Sequence, residues 1–389
     1  MTRRAVWVVG LGQCVSWGVL YYAFSVLIVP VERHLGVARW VVVGAFSVAL
    51  LVSAAVAPRV GSLVDRGHGP SVVQAGGLAA AGLLASWALV PNVYLTYLIW
   101  AALGLCMSAV LYEPVFAIVG KAVSHAGDRL RAIATITIFG GVASTVFLPL
   151  TGALVERLGW REAVGVLAAG LAVTTLAVQR FALATLSRPR GVPADPDLDD
   201  GVPSGDVGKR PGLAQMIAVF TGSSFVGAAL ATNLVPALIE RGLSPTTAAA
   251  FGGLFGVMQL PGRLLFMHHN RSVNPMMLLA GSVGLQITGL LVLMASRSFA
   301  AIAVGVALFA FGSGLAVLAR PYFVLVFYGS GRAGEMNGVF ARPQQLARAA
   351  GPVCAAALAG ATGYGVVFGL LAAGLLMVAM SLTTTRTSG

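Results

Sequence analysis

The sequence predicts an all-α polytopic membrane protein with twelve transmembrane helices in two pseudo-symmetric six-helix halves. Three observations predict it. The chain has 389 residues, 58% of them hydrophobic and only 10% charged, with a mean hydropathy of +0.88. Soluble domains carry about 25% charged residues, so lipid is the solvent this composition suits. Apolar runs recur from end to end, each long enough to cross a hydrocarbon core of about 30 Å. The third observation is that the two halves repeat.

Read against glycine, proline and charge breaks, the runs give spans at 5–29, 40–57, 70–90, 93–119, 131–155, 162–185, 213–239, 246–267, 274–295, 298–327, 334–360 and 363–384. The first is too long for a signal-peptide core and lacks a small-residue cleavage site, so it reads as a retained helix. The 49 glycines suit helices that approach closely in a membrane. One long polar break, "SRPRGVPADPDLDDGVPSGDVGKRPG" at 187–212, is rich in Pro, Gly and Asp. It cannot bury apolar area and reads as a disordered cytoplasmic linker between halves at 1–186 and 213–389.

Basic residues set the orientation. Arg3, Arg4, Arg59, Arg66, Lys121, Arg129, Arg131, Arg180, Arg188, Arg190, Lys209, Arg210, Arg271, Arg332 and Arg386 lie on one side. Arg33, Arg39, Arg157, Arg161, Arg241 and Arg297 lie on the other, 15 against 6, which places both termini and the linker in the cytoplasm. A cell-membrane location is expected. The net charge of +12 is scattered between spans without a groove-reading motif, so nucleic acid is excluded as a partner.

The repeats are three. "SAVLYEPVFAIVG" (108–120) matches "LAVLARPYFVLVF" (315–327), placing Arg320-Pro321 on Glu113-Pro114 at an offset of 207. "GWREAVGVLAAGL" (159–171) matches "GYGVVFGLLAAGL" (363–375) at 204, and "GSLVDRGHGPSVV" (61–73) matches "GRLLFMHHNRSVN" (262–274) at 201. Repeated six-span halves point to a secondary transporter with its site between the halves, near the midplane.

With "GSLVDR" between spans 2 and 3, the whole chain resembles the major facilitator superfamily. Gly61, Leu63, Asp65 and Arg66 match the signature loop of that family. The following glycine comes one position late, at Gly69, and the usual basic pair is absent. The resemblance implies a cytoplasmic latch that Asp65 makes near the start of span 11. Asp65 and Arg66 are the expected conformational gate, the other reading being a solvated loop pair.

Four arginines lie at membrane depth: Arg263 in span 8, Arg320 in span 10, and Arg342 and Arg348 in span 11. Glu113 is the only acid with them. Each such charge costs at least about 2.5–3.5 kcal/mol unless it faces a partner or a water-filled cavity. One carboxylate neutralises one arginine at most, so the rest make a positive cavity that favours an anion. A guanidinium fork matches the two oxygens of a carboxylate. Arg263, Arg320 and Arg348 are therefore the expected anion-binding residues, with Gln259 and Gln344 one turn before Arg263 and Arg348 on the same faces. Arg342, nearer a helix end, snorkels or binds.

Arginines in spans 8 and 11 are similar to the arrangement in oxalate/formate exchangers and monocarboxylate porters. That resemblance implies a carboxylate clamp. In the porters an aspartate four positions before the span-8 arginine takes part in proton coupling; here that position is Gln259, which does not titrate. Glu113 then has two readings: a structural pair with Arg320, or a desolvated carboxyl that couples protons to transport. The two are compatible. Pro114 and Pro321 each remove a backbone hydrogen bond, which is tolerated where helices line a cavity.

In span 1, Gln13, Trp17 and Tyr21 follow i, i+4, i+8 with Tyr22 adjacent, so they share a face that hydrogen-bonds substrate or packs against a helix. In the resembling fold, spans 1, 4, 7 and 10 line the cavity. Asn233 in span 7, Tyr112 and Tyr322 are weaker versions of the same expectation. Span 5 reads "GGVASTVFLPLTGA". It matches the glycine–proline pattern of drug/proton antiporters only in part, which lowers the export reading.

Cys14, Cys106 and Cys354 fall in apolar runs and read as packing residues without disulfides. The five histidines read as loop residues without ligand spacing, so no metal and no cofactor is expected. No P-loop or nucleophile–base pair suggests an enzyme. The expected activity is alternating-access transport of a small organic anion, a carboxylate, by proton symport. Anion exchange, export of an anionic metabolite or drug, and a membrane sensor without transport are the alternatives. The expected partners are that anion, protons and the lipid bilayer, and the expected state is a monomer.

Overall fold

In hydrocarbon a backbone must satisfy its own polar groups, and a helix does so within one segment. The computed structural model describes residues 3–123, 126–183, 212–269, 274–328 and 333–384, and every regular element among them is helical. The first predicted span is α1 (Arg3–Trp17), a π-helical turn (Gly18–Tyr22) and α2 (Ala23–Leu35). The next spans are α3 (Arg39–Leu63) and α4 (Gly69–Trp87). The fourth is split into α5 (Val93–Val110) and α6 (Tyr112–Ala122). α7 (Ala126–Leu158) and α8 (Trp160–Phe181) complete the first six. The other six are α9 (Leu213–Glu240), α10 (Pro245–His269), α11 (Pro275–Ala295), α12 (Phe299–Tyr328), α13 (Ala333–Thr362) and α14 (Tyr364–Thr384). The predicted linker, apart from Gly212, lies outside the described residues.

The helices overrun the predicted spans where charges read as loops. α2 continues through Glu32, Arg33 and His34 and stops at Gly36, whose φ of 63° is the left-handed conformation that closes a helix. Arg33 and His34 in its last turn sit at the negative end of the dipole. His34 is therefore helical, not a loop residue. The "GSLVDR" segment is likewise mostly helical: α3 carries Arg59 to Leu63, and a π-helical turn follows at Val64–His68. Gly67, at φ 88°, makes the turn into α4.

The chain forms two compact units. One comprises Met1–Pro193 and Thr232–Gly253, the other Ala194–Ala231 and Leu254–Gly389. In the first, α1 packs on α7 and α8, α3 on α5, and α4 on α5 and α8. Its core is aromatic: Phe24, Phe46, Trp87 and Trp100 are each about 1% exposed, with Phe24 stacked on Phe46 at 4.7 Å. In the second unit α11 packs on α12 and α14, and α13 on α14. Phe220, Phe323 and Phe340 are buried together there.

Glycine lets two helices in each unit touch through backbone. Gly104 of α5 lies against the Ala49 carbonyl of α3, and Gly314 of α12 lies against the Gln259 carbonyl of α10. Both pairs are 55 residues apart (104 − 49 and 314 − 259), so the same close approach recurs in both sets of spans. Packing and small-residue contact drive helix association where lipid is as apolar as the side chains. Of the cysteines, Cys106 is buried, Cys14 is half-buried and all are free. Cys354 is exposed rather than packed, which an apolar thiol tolerates because the surrounding solvent is lipid.

Candidate functional site

The fourth span does not run straight through. After Val110 the backbone of Leu111 is extended (φ −76°, ψ −163°), and α6 starts afresh at Tyr112. A helix end leaves carbonyls unpaired, and Gln13 of α1 supplies a donor: its Nε2 reaches the Val110 carbonyl at 2.7 Å. Glu113 sits in the first turn of α6, where the helix dipole favours a negative charge. The N–H that Pro114 lacks is one a first turn does not use. A glutamate followed by proline is thus a helix start inside an apolar run. Glu113 is exposed and makes no ion pair among the described residues. It lies nine residues from the end of α6, about 14 Å along the axis. A carboxylate at that depth is kept only where it faces water or a partner.

Aromatic rings gather at the break. The Trp17 and Tyr112 centroids are 4.8 Å apart, and Trp17 also meets Tyr21 at 5.4 Å and Tyr22 at 6.5 Å. Tyr112 stacks on Phe116 at 4.9 Å. The Tyr112 hydroxyl donates to the Thr137 carbonyl of α7 at 3.3 Å and fills the space over Gly140. The π-helical turn at Gly18–Tyr22 carries Tyr21 and Tyr22 themselves, with Gly18 pressed on the Phe147 ring. Such turns inside α-helices are frequent at functional sites. Gln13, Ser16, Val110, Val115 and Thr175 also border a cavity of about 20 Å³, room for a single water.

In the second unit α12 passes through residues 320 and 321 without a break. The half-buried Arg320 donates through Nη1 to Gln344 Oε1 of α13 at 2.5 Å. Gln344, 6% exposed, donates in turn to the Phe220 carbonyl of α9 at 3.2 Å. Arg348, one turn beyond Gln344 on α13, is exposed. No carboxylate forms an ion pair with either arginine among the described residues. A guanidinium held by a neutral amide, with no carboxylate paired to it among the described residues, leaves a local excess of positive charge.

The predicted residues thus fall into groups. Gln13, Trp17, Tyr21 and Tyr22 come together with Tyr112 and Glu113 around the break in span 4. Arg320, Gln344 and Arg348 come together in the second unit, although Gln344 is spent on positioning Arg320 and on Phe220. Arg342 is exposed. Asn233 is 1% exposed in α9, and Gln259 is buried in α10. Arg263 lies on α10, and its side chain is outside the described residues. Asp65 and Arg66 are exposed on the π-helical turn before α4.

Sequence reasoning missed the break itself, whose signal was an acid directly before a proline in an apolar run. It also missed a buried pair in the second unit, where Ser223 donates to Gln286 at 3.0 Å. A third omission is a cluster in the first unit. Arg39 bridges Glu32 at 2.8 Å and Glu240 at 2.9 Å. Glu156 accepts from the backbone N–H of Thr246 at 3.0 Å and from its hydroxyl. Glu32, Glu156, Glu162 and Glu240, four of the chain's 13 acids, belong to the side poor in arginine.

The Major Facilitator Superfamily model matches residues 6–352. The chain belongs to that family. It is a polytopic membrane transporter of the superfamily, with the fold of its solved members. The nucleoside transporter NupG superposes with a TM-score of 0.71 at 15% identity, covering 99% of each chain. A bacterial homolog of the human lysosomal transporter Spinster, inward-facing and occupied, gives 0.69 at 14% identity, covering 99% of this chain and 97% of that one. The human organic anion transporter MFSD10 (TETRAN) gives 0.66 at 19% identity, covering 98% and 99%. Comparison by sequence with curated proteins finds no match. At these identities the likeness is one of fold.

Proposed function

We propose that this transporter moves a small organic anion, a carboxylate, across the cell membrane by alternating access between its two six-helix halves. The observation that carries the proposal is the cation at Arg320 of the second unit. Arg320 is half-buried and held by the neutral amide of Gln344, and among the described residues no acid pairs with it. A carboxylate completes such an arrangement because two N–H groups of a guanidinium match its two oxygens. Arg263 belongs to the same proposal. One fold neighbour is described as an organic anion transporter and another as a nucleoside transporter, so the arginines, and not the neighbours, support the substrate class.

Proton symport through Glu113 is the first reading of energy coupling. Anion exchange is the second. Cytoplasmic termini, a cytoplasmic latch at Asp65 and Arg66, and a monomer complete the reading. Uptake of labelled mono- and dicarboxylates into proteoliposomes, with and without an inward proton gradient, tests it. Gradient-driven uptake that Glu113→Gln abolishes while exchange persists is the result expected of symport. Uptake indifferent to the gradient and to Glu113→Gln assigns exchange. Transport of organic cations but no anion overturns the proposal.

A further inference from the structure

An arginine within an apolar span is normally held by an acid, since a partner of opposite charge offsets the cost of burial. Arg320 is held by an amide instead. Its Nη1 donates to Gln344 Oε1 at 2.5 Å, and among the described residues no carboxylate pairs with it. That bond uses one of the guanidinium's five N–H donors. The Nε–Nη2 edge, whose two parallel N–H groups fit the two oxygens of a carboxylate, has no partner among the described residues. The tether fixes the group and leaves its recognising edge open.

The neutrality of the tether follows from its second partner. Gln344 is 6% exposed, and its Nε2 donates to the Phe220 carbonyl of α9 at 3.2 Å. Both ends of the amide are thus assigned, because a flipped amide would set its NH2 against the guanidinium and its oxygen against the carbonyl. A glutamate of the same length would still accept from Arg320, but its second oxygen would face the Phe220 carbonyl with no proton between them. Residue 344 has to accept on one side and donate on the other. Glutamine does both, and an ionised glutamate does not. With both ends held by protein, the amide orients Arg320 rather than binding substrate itself.

We propose that Gln344 is a positioning residue that sets the charge class of the substrate: it holds the Arg320 guanidinium in place without neutralising it, so that the substrate's own carboxylate supplies the missing negative charge. The inference rests on the organic-anion reading and names the residue on which its sign depends. Were the tether an acid, Arg320 would form a closed ion pair, and an arriving anion would meet no excess of positive charge there.

Substitution at 344 separates the two duties of the amide. Gln344→Glu keeps the acceptor for Arg320 and adds a charge, whereas Gln344→Met keeps length and neutrality and removes the acceptor. Binding of acetate, benzoate and succinate to purified wild type in nanodiscs is measured by calorimetry. The tightest of the three is then carried to the variants, with thermal unfolding as the check on folding. Gln344→Met is expected to weaken binding by about three- to tenfold, the range for one lost hydrogen bond. Gln344→Glu is expected to weaken it by about 100-fold or more, as for a like charge set against the ligand.

That order is the reverse of what a merely structural amide gives, because Gln344→Glu retains the bond to Arg320 that Gln344→Met loses. A loss in Gln344→Glu no larger than that in Gln344→Met overturns the assignment and leaves the organic-anion reading standing. Wild-type affinity in Gln344→Met does the same, and decides the matter alone if Gln344→Glu does not fold. If wild type binds none of the three anions, the organic-anion reading itself falls, and the assignment falls with it.

Discussion

In span 4, Glu113-Pro114 opens a new helix after an extended Leu111, whereas in span 10 the matching Arg320-Pro321 lies inside one helix, Phe299–Tyr328. Both copies lack the proline N–H, so proline alone does not decide the outcome. Charge and neighbours do. A helix start offers a positive dipole end, which favours the carboxylate of Glu113 and would repel the guanidinium of Arg320. In the first unit Gln13 also reaches in to satisfy the freed Val110 carbonyl. In the second, Gln344 instead holds the arginine and a carbonyl of α9. One glutamine stabilises a break and the other positions a cation.

The comparison can be pressed from both copies. The largest effect is expected for Arg320→Ala, which removes the cation held by Gln344. Transport of carboxylates into proteoliposomes should fall at least about 100-fold, as for truncation of one partner of a buried charged contact, with a loss of stability no larger than about 1–3 kcal/mol, that of leaving Gln344 Oε1 without its donor. Wild-type flux in this variant would remove Arg320 from the site.

Gly140→Ala should cost about 1–3 kcal/mol, because a methyl there displaces the Tyr112 hydroxyl and α6 cannot shift freely. Thermal unfolding in detergent reads it; Gly314→Ala, against the Gln259 carbonyl, should behave alike in the other unit. Gln13→Leu leaves the Val110 carbonyl buried without a donor, at about 1–3 kcal/mol. No loss of stability there would mean that the break is held by something other than Gln13.

Reversing charge at the helix start is expected to cost less. Glu113→Lys puts a cation on the positive end of α6 and should destabilise by about 0.3–1 kcal/mol, with Glu113→Gln falling between it and wild type. A Glu113→Lys protein as stable as wild type would show that the dipole does not select between the two copies. The smallest effect is reserved for the partly exposed bridge: Arg39→Ala should lower stability by about 0.2–1 kcal/mol, and less as salt is added.

Most of the helices were legible because bilayer thickness converts hydropathy directly into helix existence. Their ends were not, since Glu32, Arg33 and His34 look like loop residues until Gly36 is seen to close α2. The arginines were legible as costly charges, and so was the shared face of Gln13, Trp17 and Tyr21. The division of labour among them was not. Gln344 read as a substrate ligand on the face of Arg348, yet it is buried while Arg348 is exposed, because its amide is used by Arg320 and Phe220. The ties of Arg39 to Glu240 and of Glu156 to Thr246 join residues 201 and 90 apart, a separation no local pattern reports.

By itself the sequence determined that this chain lives in lipid, that it is built of paired six-span sets, and that an acid and several arginines fall within its apolar runs. Burial cost is a property of single residues and short runs, so composition and periodicity carry it. Only the tertiary structure decided that one copy of the motif is a helix break and the other a continuous helix. It also decided that Gln13 serves one carbonyl while Gln344 serves a guanidinium and a carbonyl. Those outcomes depend on what a distant segment presents at the same level of the membrane.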